Sequence, residues 1–194
     1  MRKLMLSALA LAAIMSAVPA HAVDFPVPTQ ITLIKTGRII KFLARPGPFT
    51  IPSAGGDDDP TIEGGSITVA DTGNLLNQNT YLLPSSGWVV LTGSNPGFKY
   101  RGTETPGDPC TRVLVRANKI LGICKGSDVT FVTPLAGPAA ATLRLGTATH
   151  RYCFECGGTV KKNDGTAFKA KLCPPPGSCA VSPSGAFLDE SSPF

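Results

Sequence analysis

Glycine and proline interrupt this chain every few residues, and no long helix fits between the interruptions. Of 194 residues, 21 are glycine and 18 proline, and all of them except Pro19 follow Ala22. Both residues disfavour helix interiors, glycine through backbone entropy and proline through its missing N–H. Between the breaks lie short runs rich in Val, Ile, Thr and Phe, recurring at about ten-residue spacing. They cover 31–35, 38–44, 49–52, 66–70, 88–92, 98–101, 111–116, 119–124, 129–133, 141–146, 151–155, 159–162 and 167–172. Beyond the first 22 residues no window holds a 3.6-residue apolar period for three turns. The expected fold is therefore all-β, an antiparallel sandwich. Hydrophobic residues at 42% against 16% charged supply enough apolar surface for a core.

The first 22 residues follow another pattern. Arg2 and Lys3 precede a run from Leu4 to Val18 with nothing more polar than Ser7 and Ser16, and then come Pro19 and Ala20-His21-Ala22. Charged, apolar and small-x-small regions in that order read as a secretory signal peptide over 1–22, cleaved after Ala22. The apolar run falls short of the roughly 20 residues a membrane helix needs. No later run is long enough, so no transmembrane segment is expected after cleavage. The mature chain should be periplasmic or secreted. Its only histidine is His150, and all three methionines leave with the leader, which excludes schemes built on two or more histidines.

Export turns the six cysteines into a disulfide framework. They are Cys110, Cys124, Cys153, Cys156, Cys173 and Cys179, all in the second half of the chain. A hairpin joining 111–116 to 119–124 through a left-handed Asn118 pairs Val115 with Lys119 and sets Cys110 opposite Cys124. A Cys110–Cys124 bond follows. The Asn163-Asp164-Gly165 turn makes a second hairpin, which favours Cys156–Cys173 with Cys153–Cys179, and a one-residue slip would swap those partners. Cys153-Phe154-Glu155-Cys156-Gly157-Gly158 also resembles the knuckle of a zinc ribbon, which leaves zinc at the four late cysteines as an alternative. The second pair departs from that pattern, because Cys173 and Cys179 are separated by five residues rather than two.

The chain also resembles itself. Residues 33–42 align with 114–123, placing Gly37 on Asn118, and 97–101 align with 167–171. The expectation is two diverged copies of one β unit, 23–109 and 110–180, followed by a tail over 181–194. They would form one pseudo-twofold sandwich or two small abutting ones.

Candidate sites are few. Asp57, Asp58, Asp59 and Glu63 share a glycine-flanked loop and could supply oxygens to calcium; no other cofactor is expected. Trp88, Tyr100 and Tyr152 are candidate ligand-facing aromatics. Core packing is the stronger reading for Trp88 and Tyr152, which occupy matching strand positions in the two expected copies. His150 lacks a Gly-x-Ser-x-Gly partner motif. Charge is uneven: 23–94 carries four bases and six acids, 95–175 twelve bases and five acids. A basic half suits an anionic polysaccharide or envelope surface. Nucleic acid is disfavoured, since arginines and aromatics do not interleave. The reading is an exported, non-catalytic module with a binding or structural role. The alternatives are a small secreted hydrolase using paired carboxylates and a metal-binding module.

Overall fold

The computed structural model describes residues 23–103, 105–146 and 150–179. Residues 1–22, where a leader is expected, and 180–194, which hold the expected tail, lie outside them. Among the described residues are thirteen strands: β1 (Val23–Pro26), β2 (Thr29–Lys35), β3 (Ile39–Ala44), β4 (Gly65–Asp71), β5 (Asn74–Leu83), β6 (Trp88–Leu91), β7 (Gly97–Tyr100), β8 (Arg112–Arg116), β9 (Lys119–Lys125), β10 (Ala139–Leu145), β11 (His150–Cys156), β12 (Thr159–Asp164) and β13 (Ala167–Cys173). One helix, α1 (Pro60–Glu63), makes a single turn. The all-β sandwich expected from the punctuation is what forms.

Two sheets pack face to face. One has five strands in the order β1-β11-β10-β4-β5, and the other eight in the order β12-β13-β2-β3-β9-β8-β7-β6. Every pairing is antiparallel except that of β1 with β11, which is parallel. Side chains alternate across each strand. Ile34, Phe42, Phe98, Val115, Ile120 and Phe168 of the larger sheet therefore meet Ile67, Val69, Leu143, Tyr152 and Phe154 of the smaller one in a single core.

The strand orders have an internal symmetry. Exchanging β2–β7 with β8–β13 in chain order leaves both sheets unchanged, apart from the extra strand β1. The registers agree with the exchange: Phe98 pairs with Val115 as Phe168 pairs with Ile34, and β3 and β9 run past each other with Phe42 opposite Gly122. First-half and second-half strands are neighbours at β13–β2, β3–β9, β8–β7 and β10–β4. The halves thus share one core, and neither has one to itself.

Several local expectations need correction. Residues 49–52 and 129–133 are unpaired straps, not strands. Prolines bracket the first of these, and the strap is fixed by one backbone bond from Phe49 N–H to the Ala117 carbonyl, 2.6 Å. Their Phe49, Val129 and Phe131 are nonetheless buried, so the apolar pattern marked core without marking sheet. Strands β1 and β5 lie outside the expected runs; in β5 the four amide side chains break the alternation. Trp88 and Tyr152 do not match, since they belong to different sheets.

The Cys110–Cys124 bond forms, with Cα atoms 3.7 Å apart, but in a register slipped by one. Arg116 pairs with Lys119 and Val115 with Ile120, so a two-residue turn, Ala117-Asn118, joins β8 to β9. Asn118 does not take positive φ; among described non-glycine residues only Leu172 does. Gly37 does, at 59°, and gives its own hairpin the three-residue loop. The two hairpins therefore differ by one residue in the turn.

Candidate functional site

The late cysteines pair as Cys153–Cys179 and Cys156–Cys173, and no described cysteine is free. Zinc is thereby deprived of its thiolates, which corrects that alternative. Asp24 lies close to Cys153 and Cys179, yet bonded sulfurs are not metal ligands.

The three aromatics sit in the core rather than on a binding face. Trp88, Tyr100 and Tyr152 are 4%, 1% and 0% exposed. The Trp88 indole donates to the Leu83 carbonyl at 3.2 Å and the Tyr100 hydroxyl to Asp108 Oδ1 at 2.7 Å. Burial first, and then the Asp108 carboxylate, push the Tyr100 phenol well above its ordinary pKa. The inter-sheet gap beside Phe42 and Phe154 measures only about 10 Å³, roughly one water's worth. That gap has no room for a ligand; open clefts of about 480 Å³ beside Glu63 and Arg144 and about 410 Å³ beside Tyr81 and Asp128 lie at the smaller sheet's margins.

The acidic loop is organised by Asp59. Its carboxylate caps α1, accepting from Gly55 N–H at 2.6 Å, Thr61 N–H at 2.8 Å and the Thr61 hydroxyl at 2.7 Å. Burial opposes ionisation there, but these three donors outweigh it and lower the pKa. Among the described residues, Asp57, Asp58, Asp59 and Glu63 do not bring three ligand atoms together as a cation would require. Other acids play the same stapling part. Asp71 accepts from the backbone of Gly73, Ala136 and Gly137 at 2.8–3.0 Å, and Asp164 accepts from Thr166 and Ala167.

His150 clamps a strap to the smaller sheet. Its ring stacks on Phe25 at 4.3 Å, and its Nε2 lies 3.3 Å from the Thr50 carbonyl, which also receives the Tyr152 hydroxyl at 2.5 Å. Burial lowers the imidazole pKa, while Thr50 and Asp58, 4.0 Å from Nδ1, pull it partly back up.

A further surface was not anticipated. On the outer face of the eight-stranded sheet, one row crosses seven strands as Lys171–Ile31–Leu43–Leu121–Leu114–Lys99–Val89. Two residues along the strands on one side, about 7 Å away, lies Lys169–Leu33–Lys41–Ile123–Arg112. On the other side Arg116 pairs with Lys119, with Arg45 directly beyond the end of β3. Lys35 and Lys125 flank Ile39 in a fourth row. Strands β2, β3, β7, β8, β9 and β13 contain no aspartate or glutamate. Partial burial first, and then the fields of Arg45, Arg112, Lys41 and Arg116, depress the Lys119 pKa. Leu114 and Leu121 are only 7% and 6% exposed although they lie outside the core cluster. The charge imbalance of the second half hinted at this face, but its rows draw on both halves.

No family model matches the chain, and comparison with curated proteins and with solved structures finds no match either.

Proposed function

We propose that this chain is an exported, disulfide-stapled β module that binds rather than catalyses, laying the outer face of its eight-stranded sheet against an anionic surface of the envelope or an anionic polymer. The carrying observation is that face itself, with lysines and arginines from six strands and no acid in those strands. Clustered charge of one sign raises local counter-ion concentration and steers encounter with a polyanion. Keeping such a face unneutralised costs stability through self-repulsion, a cost that a surface of opposite charge offsets. Three disulfides suit an oxidising compartment. We take 1–22 as the leader that delivers the chain there, and β2–β7 and β8–β13 as diverged copies of one unit. The exchange symmetry of the strand orders and the Phe98–Val115 and Phe168–Ile34 registers support the latter.

The test is retention of the mature 23–194 chain on an immobilised sulfated polysaccharide at low salt. Retention that weakens steeply with salt, and is lost in Lys41→Glu/Arg112→Glu/Lys119→Glu while the melting temperature is kept, supports the reading. Equal retention of parent and triple variant overturns it. The exported product is expected to begin at Val23, and an intact mass that includes Met1 would refute cleavage.

A further inference from the structure

Resting on that reading of the cationic face, we propose that its partner is a lipid bilayer surface bearing anionic phosphate headgroups, with the sheet lying flat on it. The side chains between the cations decide the partner's chemistry. Half-buried Ile31 and Leu43 lie between Lys171 and the buried Leu121 and Leu114, and half-buried Leu33 and Ile123 alternate with Lys41 and Arg112 in the next row. A neutral sugar polymer asks for something else: planar amides and carboxylates for its hydroxyls and aromatic platforms for its ring faces. These rows offer neither. A sulfated polymer is held by the cations alone, with no use for aliphatic groups between them. The chain's tryptophan and tyrosines are turned inward, Asp71 belongs to the other sheet, and Asp108 accepts from Thr103 N–H within its own loop.

A lipid headgroup layer presents phosphates above an apolar boundary, and rows of cations separated by rows of aliphatic groups match it in depth as well as charge. Long lysine and arginine side chains keep their charges at phosphate level while their stems lie along apolar surface. At the row's end Val89 is 53% exposed, leaving an aliphatic side chain at the sheet margin where it can reach the boundary. Each cation near an anionic bilayer strengthens partition about fivefold, so losing three weakens it about a hundredfold.

The experiment uses the mature chain with vesicles of phosphatidylcholine alone, of phosphatidylcholine with about a third phosphatidylglycerol, and with soluble heparin as a separate arm. Two tryptophan reporters are added singly, Val89→Trp on the proposed face and Leu76→Trp on β5 of the smaller sheet, where the native side chain is 98% exposed. Both sites are surface positions, and the melting temperature of each variant verifies its fold. The proposal expects co-sedimentation with the anionic vesicles only, and quenching of the Val89→Trp signal by acyl-brominated lipid with Leu76→Trp unchanged. Heparin binding without vesicle binding, or equal quenching at both sites, overturns the lipid assignment and leaves the anionic-surface reading standing. Binding to neither overturns both.

Discussion

Gly122 offers the sharpest test of the interleaved core. It sits mid-strand in β9, opposite Phe42 of β3, at the seam where the two halves of the chain meet. A Cβ at this position would lie 2.2 Å from Phe42 Cζ and 2.4 Å from Cε1. The ring has little room to retreat, since Phe42 is 2% exposed and packs on Phe154 with centroids 4.5 Å apart. Gly122→Ala therefore overpacks the centre of the sandwich, which typically costs about 1–3 kcal/mol. For a domain of this length that lowers the melting temperature by about 2–4 °C per kcal/mol, or roughly 4–8 °C for a mid-range cost. Phe42→Leu alone loses ring contacts, at about 1–2 kcal/mol. If the clash is the cause, the double variant is less destabilised than the two singles summed, by about 1 kcal/mol or more. Urea and thermal unfolding of all four proteins measure this. A Gly122→Ala protein within about 0.5 kcal/mol of the parent, or single costs that simply add, would refute the packing described for this seam.

Asp59→Ala removes the acceptor of three hydrogen bonds at a buried helix cap, and a loss of about 1–2 kcal/mol is expected in urea unfolding. Its folded pKa is lowered, so its contribution is full above the unfolded value of about 4 and is lost as pH falls through the folded value. The parent should thus show an acid slope that the variant lacks, and identical slopes would contradict this. His150 acts in a higher window. Burial lowers its pKa, so the unfolded chain takes up its proton first and stability declines as pH drops below about 6.5. His150→Gln should flatten the unfolding free energy between about pH 6.5 and 5, and an unchanged slope there would show that the imidazole is not held neutral by the fold.

Much of the architecture was legible because its cause is local. Glycine and proline forbid long helices, and eleven of the thirteen apolar runs became strands. The Cys110–Cys124 bond was correct although its register was not. Two cysteines offset by one residue across a hairpin still bring their Cα atoms within reach, whereas the turn type depends on whether Asn118 takes positive φ, which its neighbours decide. The strap at 49–52 misled because burial and sheet pairing leave the same apolar signature. Strand β5 carries no apolar signature for the opposite reason: it lies at a sheet edge, where Asn77 bonds the Val132 backbone through its side chain and needs no apolar alternation.

By itself the sequence determined strand content, the leader pattern and the pairing logic of the cysteines, because each rests on residues close in the chain or on composition. The charge imbalance hinted at a cationic face, but its extent across both halves was decided by tertiary structure. Lys41, Arg112 and Lys119 come from three strands, and a period-two pattern states that a strand has two faces without stating which strands will lie beside it. The β8–β9 hairpin holds Arg112 and Lys119 on one face, but only the long-range pairing of β3 with β9 sets Lys41 beside them, as β13–β2 and β8–β7 add Lys169 and Lys99, and it is that adjacency, not the number of charges, that makes a surface able to hold an anion.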